Sequence, residues 1–444
     1  MGYRAYPEYK DSGVEWLGRV PADWEVRRLK FSSCLINEKV DAQDSTLEYL
    51  SLEHIESCTG KRIADDTSTS EGITSKFSPN DVLFGKLRPY LAKVWLADGH
   101  GVATTEALVI RPDNEVIGSF LKYFMLSCDF IDVVNGSTYG SKMPRANWDF
   151  IGNLSMLIPA IEEQRQIAQF LDHKTAQIDR LIEKKQELIE KLQEQRITVI
   201  TQAVTKGLDS GVALKDSGVE WLGDVPAHWD IWRLRFSVTM SGGMTPSTTA
   251  PQYWEGSIPW VTPKDMKSDR ITSSIDTLTE LALKETSLQL YTAGQVLIVV
   301  RGMILAHTFP VGVNDVNVTV NQDMKVLSTT LNSEYLAILL RGFQSVVLSI
   351  VEESAHGTKV LRTDLFKDIQ LPVPPSHEQE TIVAYIHRVI AKTDSRVEAV
   401  NTAIERLQEY RTALITAAVT GQIDVRDWQA PEPTKESAAH KEVA

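Results

Sequence analysis

Cysteine is scarce in this chain: three residues in 444, Cys34, Cys58 and Cys128, with no CxxC pair among them. That excludes a disulfide framework and a cysteine-based zinc site, and it suits a reducing compartment. Long apolar runs are missing too. No stretch approaches the roughly 18 consecutive apolar residues of a membrane-spanning helix. The opening MGYRAYPEYK has no apolar signal core, so the expected location is the cytoplasm. Positive charge is in deficit, with 46 Lys and Arg against 59 Asp and Glu and a net charge of −13. Taken alone this disfavours a nucleic-acid binder, because phosphates are held by cations. Net charge averages over surfaces, however, and a local basic face can stand beside acidic flanks.

Catalytic signatures are also absent. No GxxxxGK[ST] phosphate loop occurs, and GKR at 60–62 has neither the spacing nor the hydroxyl that follows. There is no HExxH and no GxSxG. No Asn/Asp-Pro-Pro-aromatic stretch of the amino-methyltransferase kind is found; VPPS at 373–376 lacks both flanking residues. Asp11 and Glu15 could form a carboxylate pair, but beside Ser-Gly they read as local turn caps. The nine histidines are dispersed, and His356, before Gly-Thr-Lys, is the one placed in a polar loop where a surface role is the default.

What is present is a duplication. DSGVEWLG occurs at 11–18 and again at 216–223, inside KDSGVEWLGRVPADWEVRRLKF (10–31) and KDSGVEWLGDVPAHWDIWRLRF (215–236). Farther on, IPAIEEQ (158–164) answers VPPSHEQ (373–379), and LQEQRITVITQAVT (192–205) answers LQEYRTALITAAVT (407–420). The chain is two copies of one unit. Each has a Trp-rich opening, a divergent middle and a long closing segment. A composition of 43% apolar and 24% charged residues, at this length, predicts two or more soluble domains.

The closing segments predict long helices. Ile386, Thr393, Val400, Leu407 and Leu414 fall seven apart, with Ile390, Val397, Ile404, Arg411 and Ala418 as the companion series. Alternating spacings of four and three are the seam of a coiled coil. The first copy offers Leu171, Ile178, Lys185, Leu192 and Val199, with a second stripe through Leu181, Ile182, Leu188 and Ile189. Ser376 and Gln379 have capping-box spacing, which Ile161 lacks in the first copy. Gly207 and Gly421 mark the ends. About 44 residues at roughly 1.5 Å each give a rod of roughly 65 Å. Lys185, Arg196 and Arg411 interrupt the seam. Either their stems pack and their heads reach water, or they fix register between two antiparallel helices. The two helices of one chain are expected to pair with each other.

The middles read as mixed α/β domains rich in strand signals, in DVLFGKLRPYLAKVWLADGHGVATTEALVIRP (81–112) and QVLIVVRGMILAHTFPVGVNDVNVTVNQDMKVL (295–327). Their ends match in type, GSTYGSKMPRANW (136–148) with ESAHGTKVLRTDL (353–365). GKLRPYLAK (85–93) puts Lys86, Arg88, Tyr90 and Lys93 within nine residues, with Ser141, Lys142 and Arg145 as a second cluster. Cations interleaved with an aromatic suit phosphates and stacked bases, although a charge-guarded strand edge looks the same. The second middle has the polar loop SGGMTPSTTAPQYW (241–254), expected to be flexible, followed by Lys264 and Lys267. Two unlike heads on paired helices would read two unlike half-sites roughly 34 Å or more apart.

With these motifs in order and duplicated, the sequence resembles the specificity subunit of type I restriction-modification enzymes, the HsdS family. The resemblance rests on the two KDSGVEWLG openings, GKLRPYLAK, GGMTPSTTAPQYWEGSIPWVTPKDM and the EEQ/HEQ and LQEQR/LQEYR helix motifs, and it covers residues 8 to about 425. It implies a mixed α/β fold of two target-recognition domains separated by two long antiparallel helices in a coiled coil, with internal pseudo-twofold symmetry. The expected boundaries are a first recognition domain at 1–157, a spacer helix at 158–207, a second recognition domain at 208–372, a spacer helix at 373–425 and a mobile tail at 426–444. It further implies a non-catalytic subunit that reads an asymmetric, split double-stranded DNA target. Two methyltransferase subunits and the restriction subunits would be its partners. S-adenosylmethionine, ATP and Mg would lie on those partners and none on this chain, and no membrane is involved. Carried over, Lys86, Arg88, Tyr90, Lys93, Ser141, Lys142 and Arg145 are the candidate DNA contacts of the first head. Those of the second are Thr245, Ser247, Thr248, Tyr253, Lys264, Lys267, Arg301, His356, Thr358 and Lys359. The first head lacks a TPS…YW loop, so the heads need not grip DNA alike. The other readings are an adaptor whose heads bind proteins, and an enzyme with an unfamiliar site. The DSGVEWLG repeat is expected to be scaffold, with Trp16 and Trp221 packed where head meets helix.

Overall fold

Alternating strand patterns in the middles and heptad patterns in the closing segments produce the two kinds of element seen. The computed structural model describes residues 3–42, 45–63, 72–140, 142–354 and 356–430. Contacts divide the chain into two compact units. One runs to Gln186 and resumes at Val400; the other is Glu187–Ala399. The long helices are Ile161–Lys206 and Ser376–Val419. Each unit therefore contains one head and a segment of both helices. The sequence reading cuts the chain between head and helix instead; contacts group them together because each head shares its core with the helices.

In the first unit Ile167, Phe170, Leu171 and Ile178 of the first helix lie in one core with Leu414, Ile415, Ala418 and Val419 of the second, and with Phe120, Phe124 and Phe130 of the head. In the second, Ala203 and Val204 join Ile382, Val383 and Ile386 under the head residues Tyr335, Leu336 and Leu339. In both units the start of one helix thus lies beside the end of the other. Arg411, among the seam residues, is buried and pairs with Asp179 at 2.9 Å, while its other nitrogens donate to the carbonyls of Cys58 and Thr59 at 2.9 and 2.8 Å. Arg196 pairs with Asp394 at 2.8 Å. Both arginines link the helices to each other, as the register reading expects. The second stripe of the first helix divides. Ile182 and Ile189 are half-buried, whereas Leu181 and Leu188 are 50% and 44% exposed.

The heads carry the same central sheet. In the first, strands Ser33–Ile36, Ala107–Pro112, Val82–Gly85 and Val94–Leu96 lie side by side in that order. In the second, the order is Val238–Gly242, Met324–Thr329, Val296–Val299, Val311–Asn314, with Arg270–Ile271 added at the edge. The inner strands Val82–Gly85 and Val296–Val299 are buried throughout, which explains their unbroken apolar sequence. A second small sheet completes each head, four-stranded in the first and three-stranded in the second.

The duplicated openings pack at equivalent places. Trp16 stands 6.2 Å from Phe124, in the head helix Gly118–Met125. Trp221 stands 4.5 Å from Phe343, just past the head helix Ser333–Gly342. Each opening also abuts a long-helix end, Trp24 at Gly421 and Trp229 at Gly207.

The EEQ/HEQ motif closes the joint between head and helix, by a route other than the expected capping box. Gln379 is buried; its Nε2 donates to the Pro374 carbonyl at 2.8 Å, and its Oε1 accepts from the Asn332 backbone N–H at 2.8 Å. Gln164 repeats this with Pro159 at 2.9 Å and the Ile117 N–H at 3.0 Å. Asn332 and Ile117 precede the two head helices. The glutamine faces inward to bridge two helix starts, so it works equally with Ser376 or Ile161 nearby. Replacing Gln164 or Gln379 by Ala leaves the proline carbonyl and the helix-start N–H that it joins without a partner and is expected to cost about 1–3 kcal/mol. Urea unfolding reads this as a lower midpoint at unchanged slope. A loss under about 0.5 kcal/mol would show that the glutamine does not close the joint.

The chain beyond the second helix stays packed longer than expected. Trp428 rests 5.5 Å from Phe170, and Val425 is buried. Residues 431–444 of the expected tail lie outside the described residues. Among the described residues no helix is long and apolar enough to cross a membrane.

Candidate nucleic-acid interface

The inner strand of each central sheet runs out into the residues singled out by sequence. In the first head, Val82–Gly85 leads to Lys86, whose N–H donates to the Glu106 carbonyl and whose carbonyl accepts from Ala146, both at 2.9 Å. Arg88 N–H donates to the Pro144 carbonyl at 2.8 Å. These bonds lay 86–88 against 144–146, so Lys86 and Arg88 of the first predicted cluster share one surface with Arg145 of the second. Tyr90 and Tyr139 are exposed there, with Met143 beside Lys142. Ser141 lies outside the described residues.

Arg88 itself has a left-handed backbone, with φ at 51°. A non-glycine residue pays about 1–2 kcal/mol for that conformation. The equivalent position of the second head is Gly302, also at positive φ. The first head accepts strain to place a guanidinium where the second has no side chain, a feature of functional loops.

Two first-head candidates are already engaged. Arg145 forms a two-pronged pair with Glu106, at 3.0 and 3.2 Å. Lys93 does not join the surface: its ammonium donates to the Leu52 carbonyl at 2.6 Å, and burial lowers its pKa. Local clustering in sequence gives no hint of that inward turn. The structure adds Lys39, whose pKa is lowered by burial and by the neighbouring Lys86, and whose amine donates to Ser75 at 2.7 Å. Lys39 had no sequence signal, because its cluster forms only through sheet pairing. Tyr139 and Met143 stood inside the quoted GSTYGSKMPRANW, and the aromatic among small residues was the available cue.

In the second head, Val296–Val299 leads to Arg301, which bridges to Val360 of the hairpin Val351–Glu353/Lys359–Leu361. Gly302 N–H donates to the Lys359 carbonyl at 3.0 Å. Exposed Arg301 and His356, half-buried Thr358 and Lys359, and exposed Met303 therefore form the counterpart surface. Lys359 pairs with Glu353 at 2.8 Å.

The 241–254 loop is pinned, contrary to the flexibility expected. Trp254 Nε1 donates to the Ser247 carbonyl and Trp260 Nε1 to the Met244 carbonyl, both at 3.1 Å, and the two indoles meet edge to face at 5.1 Å. At Gly243 a Cβ would fall 1.8 Å from the Val320 carbonyl oxygen, so only glycine allows this approach. The loop leaves Thr248 exposed, ties Thr245 to Gln322 at 2.6 Å and Tyr253 to Glu285 at 3.0 Å, and pairs the Ser247 hydroxyl with Thr249. Lys264 and Lys267 are exposed on a turn held by the Asp265 carboxylate, which accepts from Thr262 and Ile275.

Residues 321–323 draw these pieces together. Gln322 holds Thr245, Asn321 N–H donates to the Val261 carbonyl, and the Asp323 carbonyl accepts from Val300 and Arg301. Glu106 receives Lys86 in the same way in the first head. Equivalent frames thus present different side chains. Among the described residues no group of three or more His, Cys, Asp or Glu is placed to hold a metal ion.

Comparison with known proteins agrees with this architecture. The type I restriction modification DNA specificity domain matches residues 60–191 and 228–406. The specificity subunit of the Escherichia coli type I restriction enzyme EcoR124I/EcoR124II is 31% identical over 206 residues, 45% of this chain and 48% of that protein. The chain therefore spans about half the length of that relative. The MjaVIII specificity subunit of Methanocaldococcus jannaschii is 21% identical over 439 residues, covering 92% of this chain and 95% of that one. A chain from a structural study of complex assembly and conformational transition in the type I R-M system superposes with a TM-score of 0.69 at 20% identity, covering 90% of this chain and 98% of that one. At that identity the likeness speaks for the fold. With both heads and much of both long helices matched, the chain belongs to the family of type I restriction modification DNA specificity domains.

Proposed function

We propose that this chain is the non-catalytic specificity subunit of a type I restriction-modification system, reading an asymmetric, two-part target in double-stranded DNA. One observation carries the reading. Two heads with the same sheet order place basic, aromatic and hydroxyl side chains at the same strand exit, and those side chains differ. Matching frames suit the common geometry of duplex DNA, and differing side chains suit unlike half-sites. The relatives named as specificity subunits support it.

The same proposal extends to the helices and partners. The long helices pair antiparallel as a coiled coil, carry the internal pseudo-twofold of the repeat and set the gap between half-sites. Two methyltransferase subunits and restriction subunits assemble on the chain. S-adenosylmethionine, ATP and Mg belong to those partners, and the complex works in the cytoplasm. Adenine chemistry requires a base taken out of the stack, a task for the methyltransferase.

The candidate contacts are those above, with Lys93 set aside and Lys39, Tyr139, Met143 and Met303 added. Phosphate contacts by such cations release counterions, so affinity of the assembled complex for a cognate duplex is expected to fall about 10³-fold or more between roughly 50 and 200 mM salt. Fluorescence anisotropy titrations across that range test it. Affinity that stays flat would remove phosphate contact as the main contribution and favour a protein-binding adaptor.

A further inference from the structure

The duplicated openings end in a feature that lies outside the candidate interface. Phe31 and Phe236 occupy matching positions of LKF and LRF, and both are strongly exposed, at 62% and 71%. The segment each pairs with carries a second exposed apolar residue. Backbone bonds from Leu29 to Leu154 and from Lys30 to Gly152 bring the first segment to Phe150, which is 37% exposed. The same pair of bonds, Leu234 to Ile369 and Arg235 to Lys367, brings the second to Leu365, 42% exposed. Cations flank both: Arg28 and Lys30 are exposed, as are Arg233 and Arg235, which share Asp368. Each unit thus presents an aromatic, an apolar neighbour and two basic side chains in the same arrangement.

The position of the patch separates it from the reading loops. Strand Ala107–Pro112 pairs Ala107 with Gly85 at the loop end and Pro112 with Ser33 at the other, next to Phe31. Strand Met324–Thr329 likewise pairs Met324 with Val299 at the loop end and Thr329 with Val238, next to Phe236. Six strand residues put roughly 17 Å between the two ends. Large exposed aromatic faces cost solvation unless something covers them, and they are enriched as anchors at protein interfaces. DNA halves that differ would be met by unlike surfaces, whereas this patch is alike in both copies.

We infer that Phe31 and Phe236 anchor two copies of one protein partner, one on each unit, through an apolar hollow rimmed by carboxylates that meet Arg28/Lys30 and Arg233/Arg235. The inference rests on the reading above in taking that partner to be the methyltransferase subunit. It assigns the partner to the end of each head away from the reading loops.

The test uses the full chain with purified methyltransferase subunit, by native mass spectrometry and titration. Phe31→Ser and Phe236→Ser should each leave one methyltransferase bound where the wild type binds two, and the double variant should bind none. The expected weakening per site is about 30-fold, as for a central aromatic anchor. Lys30→Glu and Arg235→Glu should weaken the same two sites. Both side chains of the Phe pair are exposed, so melting temperatures should match the wild type. Two methyltransferases still bound to the double variant with wild-type affinity would overturn the inference alone. Unchanged stoichiometry with weakened DNA binding would overturn it in favour of a DNA contact. A wild-type chain that binds no methyltransferase would overturn it together with the functional reading it rests on.

Discussion

Replacing Arg88 by Gly is expected to relax recognition of one half-site by about 10- to 100-fold and leave the other half-site untouched. Glycine is the informative choice. The position is left-handed at φ 51° and ψ 64°, a conformation glycine adopts without steric cost, so the backbone keeps its course and only the guanidinium is lost. Removing Arg88 also relieves about 1–2 kcal/mol of strain, so the variant should be no less stable. A base-contacting arginine contributes about 1–3 kcal/mol of discrimination. Binding selections from a library of randomised half-sites give the readout. Equal relaxation of both half-sites in a folded protein would contradict independent heads. A uniform loss over all sequences would move Arg88 from base to phosphate contact.

The second large effect is on stability. Arg411 has a side chain only 5% exposed, and it joins Asp179 to the loop carbonyls of Cys58 and Thr59. Its removal leaves the Cys58 and Thr59 carbonyls without their guanidinium donor and a carboxylate with Lys61, at 2.8 Å, as its remaining cation. Breaking a buried pair from one side costs about 3–5 kcal/mol, and Lys61 places Arg411→Met near the lower end, at about 3 kcal/mol. Chemical denaturation measures it. A loss below about 1 kcal/mol would show that the arginine's stem, and not its charge, holds the joint. Arg411→Lys should recover little, because one ammonium cannot serve three acceptors in the guanidinium's plane.

Much of this architecture was legible because it is periodic or duplicated. The seven-residue spacing from Ile386 to Leu414 marked the buried face of the second helix. In the first helix the stripe was harder to read. Leu181 and Leu188 sit one residue before Ile182 and Ile189, about 100° around the helix, and that step takes them out of the seam. Gln379 suggested a capping box by its spacing alone. Its inward turn depends on Asn332, 47 residues away, which no local pattern contains.

The candidate interface was legible in kind and incomplete in detail. Lys86, Arg88 and Arg145 come together because backbone pairing brings 86–88 to 144–146. A cluster such as GKLRPYLAK does not reveal that Lys93 turns inward to the Leu52 carbonyl. Lys39 joined the site from a separate strand and had nothing nearby to mark it. The polar 241–254 loop read as flexible because its restraints, the Trp254 and Trp260 indoles, act through side chains onto backbone carbonyls.

The central claim is that two unlike heads read the two unlike parts of one split target. The measurement that tests it most directly is a genome-wide map of adenine methylation in cells carrying the complete system, against cells lacking this chain. The account predicts one motif of two different specific blocks separated by a fixed non-specific gap, and its loss without the chain. A continuous motif, a palindrome with identical halves, or methylation unchanged by removal of the chain would contradict it.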